Sequence, residues 1–97
     1  MTLRPRESKL RSAYGITAED YEVMAESQGF ACAVCEEPDD RVSEAGVPMA
    51  LSVDHDHSTG KVRSLLCHRC NTAIGLLRDD PNIVDRVAEY LRLNGRR

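Results

Sequence analysis

Cys32-Ala33-Val34-Cys35, then Val53-Asp54-His55-Asp56-His57, then Cys67-His68-Arg69-Cys70-Asn71 are the stretches that decide how this chain folds. Two Cys-x-x-Cys clips present four thiolates at the spacing of a closed tetrahedral zinc site, so Cys32, Cys35, Cys67 and Cys70 are expected to hold a structural zinc ion. The acid and imidazole run between the clips, with Asn71 directly after the last cysteine, offers oxygens and a base for a second, harder cation. Two disulfides or a redox dithiol are the other uses open to four cysteines. A redox motif, however, usually has a single clip at a helix start.

Working outward, the 97 residues form one domain, short enough that a core alone gives little stability and a staple is expected. No cysteine is left over, and no apolar N-terminal run has the form of a signal peptide or membrane span, which points to a reducing cytoplasm and away from membranes. The net charge of −3 argues against a generally basic nucleic-acid binder. Its distribution argues otherwise. Between Glu19 and Glu44 nine acids face Arg41 alone, whereas Lys61, Arg63, Arg69 and Arg78 occupy a stretch without any acid. Those four are the expected phosphate contacts beside the histidine run, against the plainer reading of an unevenly charged solvated surface.

Residues 1–13 carry Arg4, Arg6, Lys9 and Arg11 with little apolar content, which predicts a loose basic arm able to touch phosphates; residues 14–97 are the domain proper. Thr17 is set to cap a helix with Glu19 and Asp20 in its first turn, closed by Gly29, with Tyr21, Met24 and Ala25 inward and Phe30 as a core anchor. The polar stretch 36–48 reads as a functionally quiet surface loop. Alternation over 50–53 and 61–65, around Ser58-Thr59-Gly60, predicts a hairpin. A second helix is expected from Asn71 or Thr72. A third opens with Asp80 and Pro81, carries the stripe Val84, Val87, Ala88 and Leu91, and ends at Asn94-Gly95. The fold class is α+β: a small ββα unit stapled by zinc, with flanking helices.

Regular strand geometry puts His55 and His57 on one face and Asp54 on the other. For Asp54 to bind a cation while His55 aims at a nearby water, the strand must end or bulge there. Asn71 would join from the next helix, its place fixed by its zinc-bound neighbour Cys70. A phosphodiester suits this set: a cation on a carboxylate and an amide oxygen neutralises charge growing on the phosphate, and an imidazole takes the proton of an attacking water. Each residue has a plainer reading as well. The Asp-His run is then a polar strand end, Asn71 a helix cap, and Arg63 and Arg69 solvated surface charges. His68, inside a clip whose thiolates already complete the tetrahedron, is expected to be exposed.

These motifs, with Ser58-Thr-Gly-Lys-Val-Arg-Ser-Leu-Leu66, Ile74-Gly75-Leu76, Tyr14-Gly-Ile-Thr17 and Asp79-Asp80-Pro81, resemble those of the recombination endonuclease VII family of bacteriophages, a branch of the His-Me finger (HNH) nucleases. The similarity runs from about Tyr14 to Leu93. It implies a ββα-metal fold, structural zinc on the four cysteines, Mg2+ or Mn2+ on Asp54 and Asn71, His55 as general base and His57 as an auxiliary catalytic residue. DNA is the implied partner. The best-known type of the family has a long C-terminal extension that builds a dimer cutting four-way junctions; this chain ends at Arg97, so the expectation is general nicking or double-strand cutting with low sequence specificity. Monomer and homodimer both remain open. The competing readings are a zinc-stabilised nucleic-acid-binding module without activity and a zinc-stapled protein adaptor using the acidic 19–44 segment.

Overall fold

The computed structural model describes residues 4–95. Helix α1 spans Glu7–Lys9 and continues as a π-helical turn over Leu10–Tyr14, closed by Gly15 at a left-handed φ of 68° whose N–H donates to Arg11. Helix α2 is Ala18–Ser27, strands β1 and β2 are Ser52–His55 and Val62–Leu66, and helices α3 and α4 are His68–Leu76 and Pro81–Leu93. The strands pair antiparallel, Ser52 opposite Leu66 and Asp54 opposite Ser64, and α3 packs on both. This is the α+β arrangement expected, with a ββα unit at its centre. Among the described residues, no helix is long and apolar enough to cross a membrane.

The core gathers Leu10, Tyr21, Ala25, Cys32, Leu51, Val53, Leu65, Leu66 and Cys67. Leu10 corrects the reading of residues 1–13 as a loose arm: it is wholly buried, at 0 % exposure. A single leucine between Lys9 and Arg11 gives no periodic signal, yet one buried anchor is enough to dock a short helix. Residues 1–3 of that arm lie outside the described residues.

Thr17 and Asp20 form a reciprocal capping box on α2, as expected. At the other end Gly29 closes the helix as expected, and the departure is at Phe30. Gly29 and Phe30 both turn left-handed, with φ of 64° and 60°, and the Phe30 N–H donates to the Ala25 carbonyl at 2.8 Å. That reversal leaves the Phe30 ring 40 % exposed, so it is no core anchor. Gln28 takes over the linking role. Its amide donates to the Leu65 carbonyl and accepts from the Leu65 N–H, occupying both backbone groups of that β2 residue as a third strand would, and it also donates to Ala31 beside the first clip.

The loop expected to be quiet is part of the frame. Asp39, only 5 % exposed, accepts from the His68 N–H at 3.0 Å, and Asp40 accepts from the Arg69 N–H at 3.1 Å. Helix α3 therefore starts at His68 rather than at Asn71 or Thr72, its first N–H groups satisfied by side chains from far back in the chain and by the Cys67 thiol on Cys70 N–H. Arg41 and the His68 N–H hold the Asp39 carboxyl below its ordinary range despite burial. β1 starts at Ser52 rather than at residue 50, because the carbonyls of Ala50 and Leu51 accept from Arg41 and from the Tyr21 hydroxyl.

Candidate metal centre and histidine cavity

The two clips converge. One ligand atom from each of Cys32, Cys35, Cys67 and Cys70 lies within 4.8 Å of all the others. Zinc–sulfur bonds of about 2.3 Å in a tetrahedron require sulfurs roughly 3.8 Å apart. The Cys35 and Cys67 sulfurs are separated by 3.8 Å, so the donor set fits zinc. Burial opposes a charge on Cys32, yet backbone N–H groups of the clips, including that of Val34 at 3.3 Å, draw its thiol down to about 6. Burial and the adjoining thiols push Cys70 up to about 12. A divalent cation resolves this conflict, since it favours all four thiolates at once. The Arg69 guanidinium also points here, 3.8 Å from the Cys35 sulfur.

A second group of residues lies next to the cysteine cluster along α3. Asp54, His55, His57 and Asn71, together with Tyr14, line one cavity of about 270 Å³. β1 delivers Asp54 and His55, the turn after it His57, and α3 Asn71, one residue beyond the cysteine cluster. The break that Asp54 and His55 require is present, but in the partner strand. Asp54 pairs with Ser64 and His55 with Val62, leaving Arg63 as the extra residue of a bulge in β2. The His55 and His57 rings are 4.9 Å apart and the Tyr14 ring is 5.9 Å from His55, packing that restricts how the His55 imidazole can turn. Asp56, by contrast, is turn scaffolding: its carboxylate accepts from the N–H groups of Ser58 and Thr59.

The bulge aims Arg63 at Asp54. Its Nε donates to Oδ2 at 2.7 Å and Nη2 to Oδ1 at 3.0 Å, and the same guanidinium reaches both oxygens of Asp79. Hydrogen bonds to Asp54 first and Asp79 second hold Arg63 firmly protonated. Asp79 reaches it through a strained junction, since Arg78 and Asp79 are both left-handed at φ of 61° and 54°. The four expected phosphate contacts are thus placed differently from one another. Arg63 is committed to two carboxylates, Arg69 sits at the cysteine cluster, Arg78 shares a small cavity with His57, and Lys61 is exposed beyond the turn. No signal in the sequence identifies Asp79 as a partner of the site, and the roles of Asp39 and Gln28 likewise depend on contacts about thirty or more positions away.

The profile of the family described as recombination endonuclease VII matches residues 7–93. The chain belongs to that family. It is 44 % identical over 87 residues to the Gene 59 protein of Mycobacterium phage D29, covering 89 % of this chain and 49 % of that protein. The Gene 59 protein of Mycobacterium phage L5 is 41 % identical over 86 residues, covering 88 % and 49 %. The chain therefore spans about half the length of these curated relatives. No solved structure matches it. The match begins at Glu7, so the family pattern includes the helix that brings Leu10 into the core.

Proposed function

We propose that this protein is a metal-dependent DNA endonuclease of the HNH type, hydrolysing phosphodiester bonds with low sequence specificity in the cytoplasm of a phage-infected bacterium. The observation that carries the reading is the shared cavity of Asp54, His55, His57 and Asn71, built where β1 and the turn after it pack against α3, the helix that carries Cys70. Family membership and the phage relatives support it. His55 is the group that takes a proton from the attacking water, an imidazole being the side chain best suited to that transfer near neutrality. His57, against its ring, steadies its orientation.

Asp54 and Asn71 offer a carboxylate and an amide oxygen to one cavity, a hard donor pair that fits Mg2+ or Mn2+. A carboxylate has about four lone-pair sites, so the two bonds from Arg63 leave Asp54 room to ligate. Bound there, the cation supplies neutralisation of charge on the phosphate and the leaving oxygen. Arg78, which lines a cavity with His57, is the residue proposed to hold the phosphate, and exposed Lys61 the one to contact the backbone further out. The second reading, a zinc-stabilised nucleic-acid-binding module without activity, rests on one observation: Arg63 takes both oxygens of Asp54.

Supercoiled, linear and four-way-junction DNA incubated with Mg2+, Mn2+ or neither separates the two. Metal-dependent nicking is expected, and His55→Ala should retain fold and DNA binding while cleaving roughly a hundredfold more slowly or worse. An unchanged rate in the variant overturns the role of His55. Binding without cleavage under every metal condition establishes the second reading.

A further inference from the structure

We infer that a second cavity holds the strand of DNA leading away from the scissile phosphate, an inference that rests on the nuclease reading for the position of that phosphate. The cavity, about 840 Å³, lies between α1 and the chain entering β1. Its rim carries Arg4, Arg6, Lys9 and Arg41, with no carboxylate among the described lining residues. Tyr14 and Val53 line both this groove and the histidine cavity, so the two adjoin. A ligand occupying both must be an extended polyanion that continues past the reacting group, which describes a sugar-phosphate chain.

The charges in the groove differ in availability. Arg4 pairs with Glu22 at 3.2 Å, and Arg41 with Asp39 at 3.0 Å. Arg11, which also belongs to the basic N-terminal segment, pairs with Glu7 and lies outside the groove. Arg6 and Lys9 are exposed and have no ion pair among the described residues. Arg6 precedes α1 in extended conformation and Lys9 ends it, and both line the same cavity. On the histidine side, Arg63 and Arg69 already have partners, leaving Arg78 and Lys61 for the reacting phosphate and its surroundings; along the groove, the cationic charge open to successive phosphates is at Arg6 and Lys9.

The test measures binding of a short labelled duplex by anisotropy over a range of salt, with no divalent cation added so that the DNA stays intact. Replacing both residues, Arg6→Ala with Lys9→Ala, should weaken binding about tenfold or more and flatten the log–log salt slope by roughly 1.5 to 2, as for two lost phosphate contacts. Arg6→Lys with Lys9→Arg should restore both quantities, and zinc content and melting should match the parent throughout. With Mg2+ and DNA well below saturation, cleavage by the alanine pair should fall by about the same factor as affinity, because the loss is one of binding. Unchanged affinity in the alanine pair overturns the groove while leaving the nuclease reading intact. Equal loss in the charge-retaining pair overturns it too, by showing a structural role. Should polyglutamate bind as tightly as DNA and depend on the same two residues, the groove is an acidic-peptide site instead. A parent that binds through the groove yet never cleaves keeps this inference and removes the nuclease.

Discussion

The cysteine-stapled hairpin and helix α4 are built by opposite means. Around the hairpin, Leu65, Leu66, Cys67 and Val53 are each no more than 4 % exposed, and the contacts that hold them come from distant positions. α4 has the best local signals in the chain, with Asp80 accepting from the N–H groups of Asn82 and Ile83 and Pro81 at its first position. Yet α4 buries none of its residues, and Val84, Val87 and Leu91 are 40 %, 37 % and 41 % exposed. Local signals make a helix, whereas stability resides where the chain closes long loops on itself. The histidine cavity hangs on the second kind of structure, which is why its geometry depends on residues far from it.

The strongest way to break this contrast is to remove the staple. Cys67→Ser takes away a buried thiolate ligand while leaving an oxygen able to cap α3, so its effect reports on the metal site. Structural zinc is worth on the order of 10 kcal/mol in small domains, more than a domain of this size has in reserve. Elemental analysis should find one zinc per parent chain, and the variant should be zinc-poor and largely unfolded by circular dichroism. A zinc-free variant that melts like the parent would show that packing alone holds the hairpin.

A middling effect is expected at Tyr21, which ties α2 to the chain entering β1. Its hydroxyl donates to the Leu51 carbonyl at 2.7 Å, and burial, reinforced by Glu22 and Asp39, pushes its pKa up to about 12 from 10.0. The folded state then keeps the phenol proton where the unfolded chain has lost it. Stability from this group is complete below the unfolded value and disappears as pH rises through the folded one. The loss should amount to about 2 to 3 kcal/mol between pH 10 and 12, at 1.36 kcal/mol per unit. Tyr21→Phe should cost about 1 to 3 kcal/mol at neutral pH, by leaving the Leu51 carbonyl unpaired, and should remove that alkaline limb. Denaturant titrations at neutral and alkaline pH check both; a variant with the same alkaline limb would assign it elsewhere.

Legibility followed the same divide. The clips, the Asp54 to His57 run, Asn71 and the caps at Thr17 and Asp80 are short motifs whose chemistry is set by neighbours in sequence, and the structure brings the four site residues into one cavity. What stayed hidden depends on long-range pairing. Asp39 looks like one loop acid among several until it meets the His68 N–H, and Leu10 looks like an accident in a basic segment until it reaches the core. Arg63 reads as a free cation, because only strand register reveals the bulge that turns it onto Asp54.

The smallest effect is expected on α4 and sharpens the contrast from its other side. Val87→Ser changes a residue in the middle of the apolar stripe of that helix, 37 % exposed with no buried neighbour on the same helix. A surface substitution of this kind usually shifts stability by no more than about 0.5 kcal/mol, and serine is close to valine in helix propensity. The midpoint of denaturant unfolding should therefore barely move, and zinc content should stay that of the parent. A larger loss that grows with protein concentration would mean that the stripe is covered by a second copy of the chain. The exposed valines would then be interface residues, and α4 would owe its stability to association.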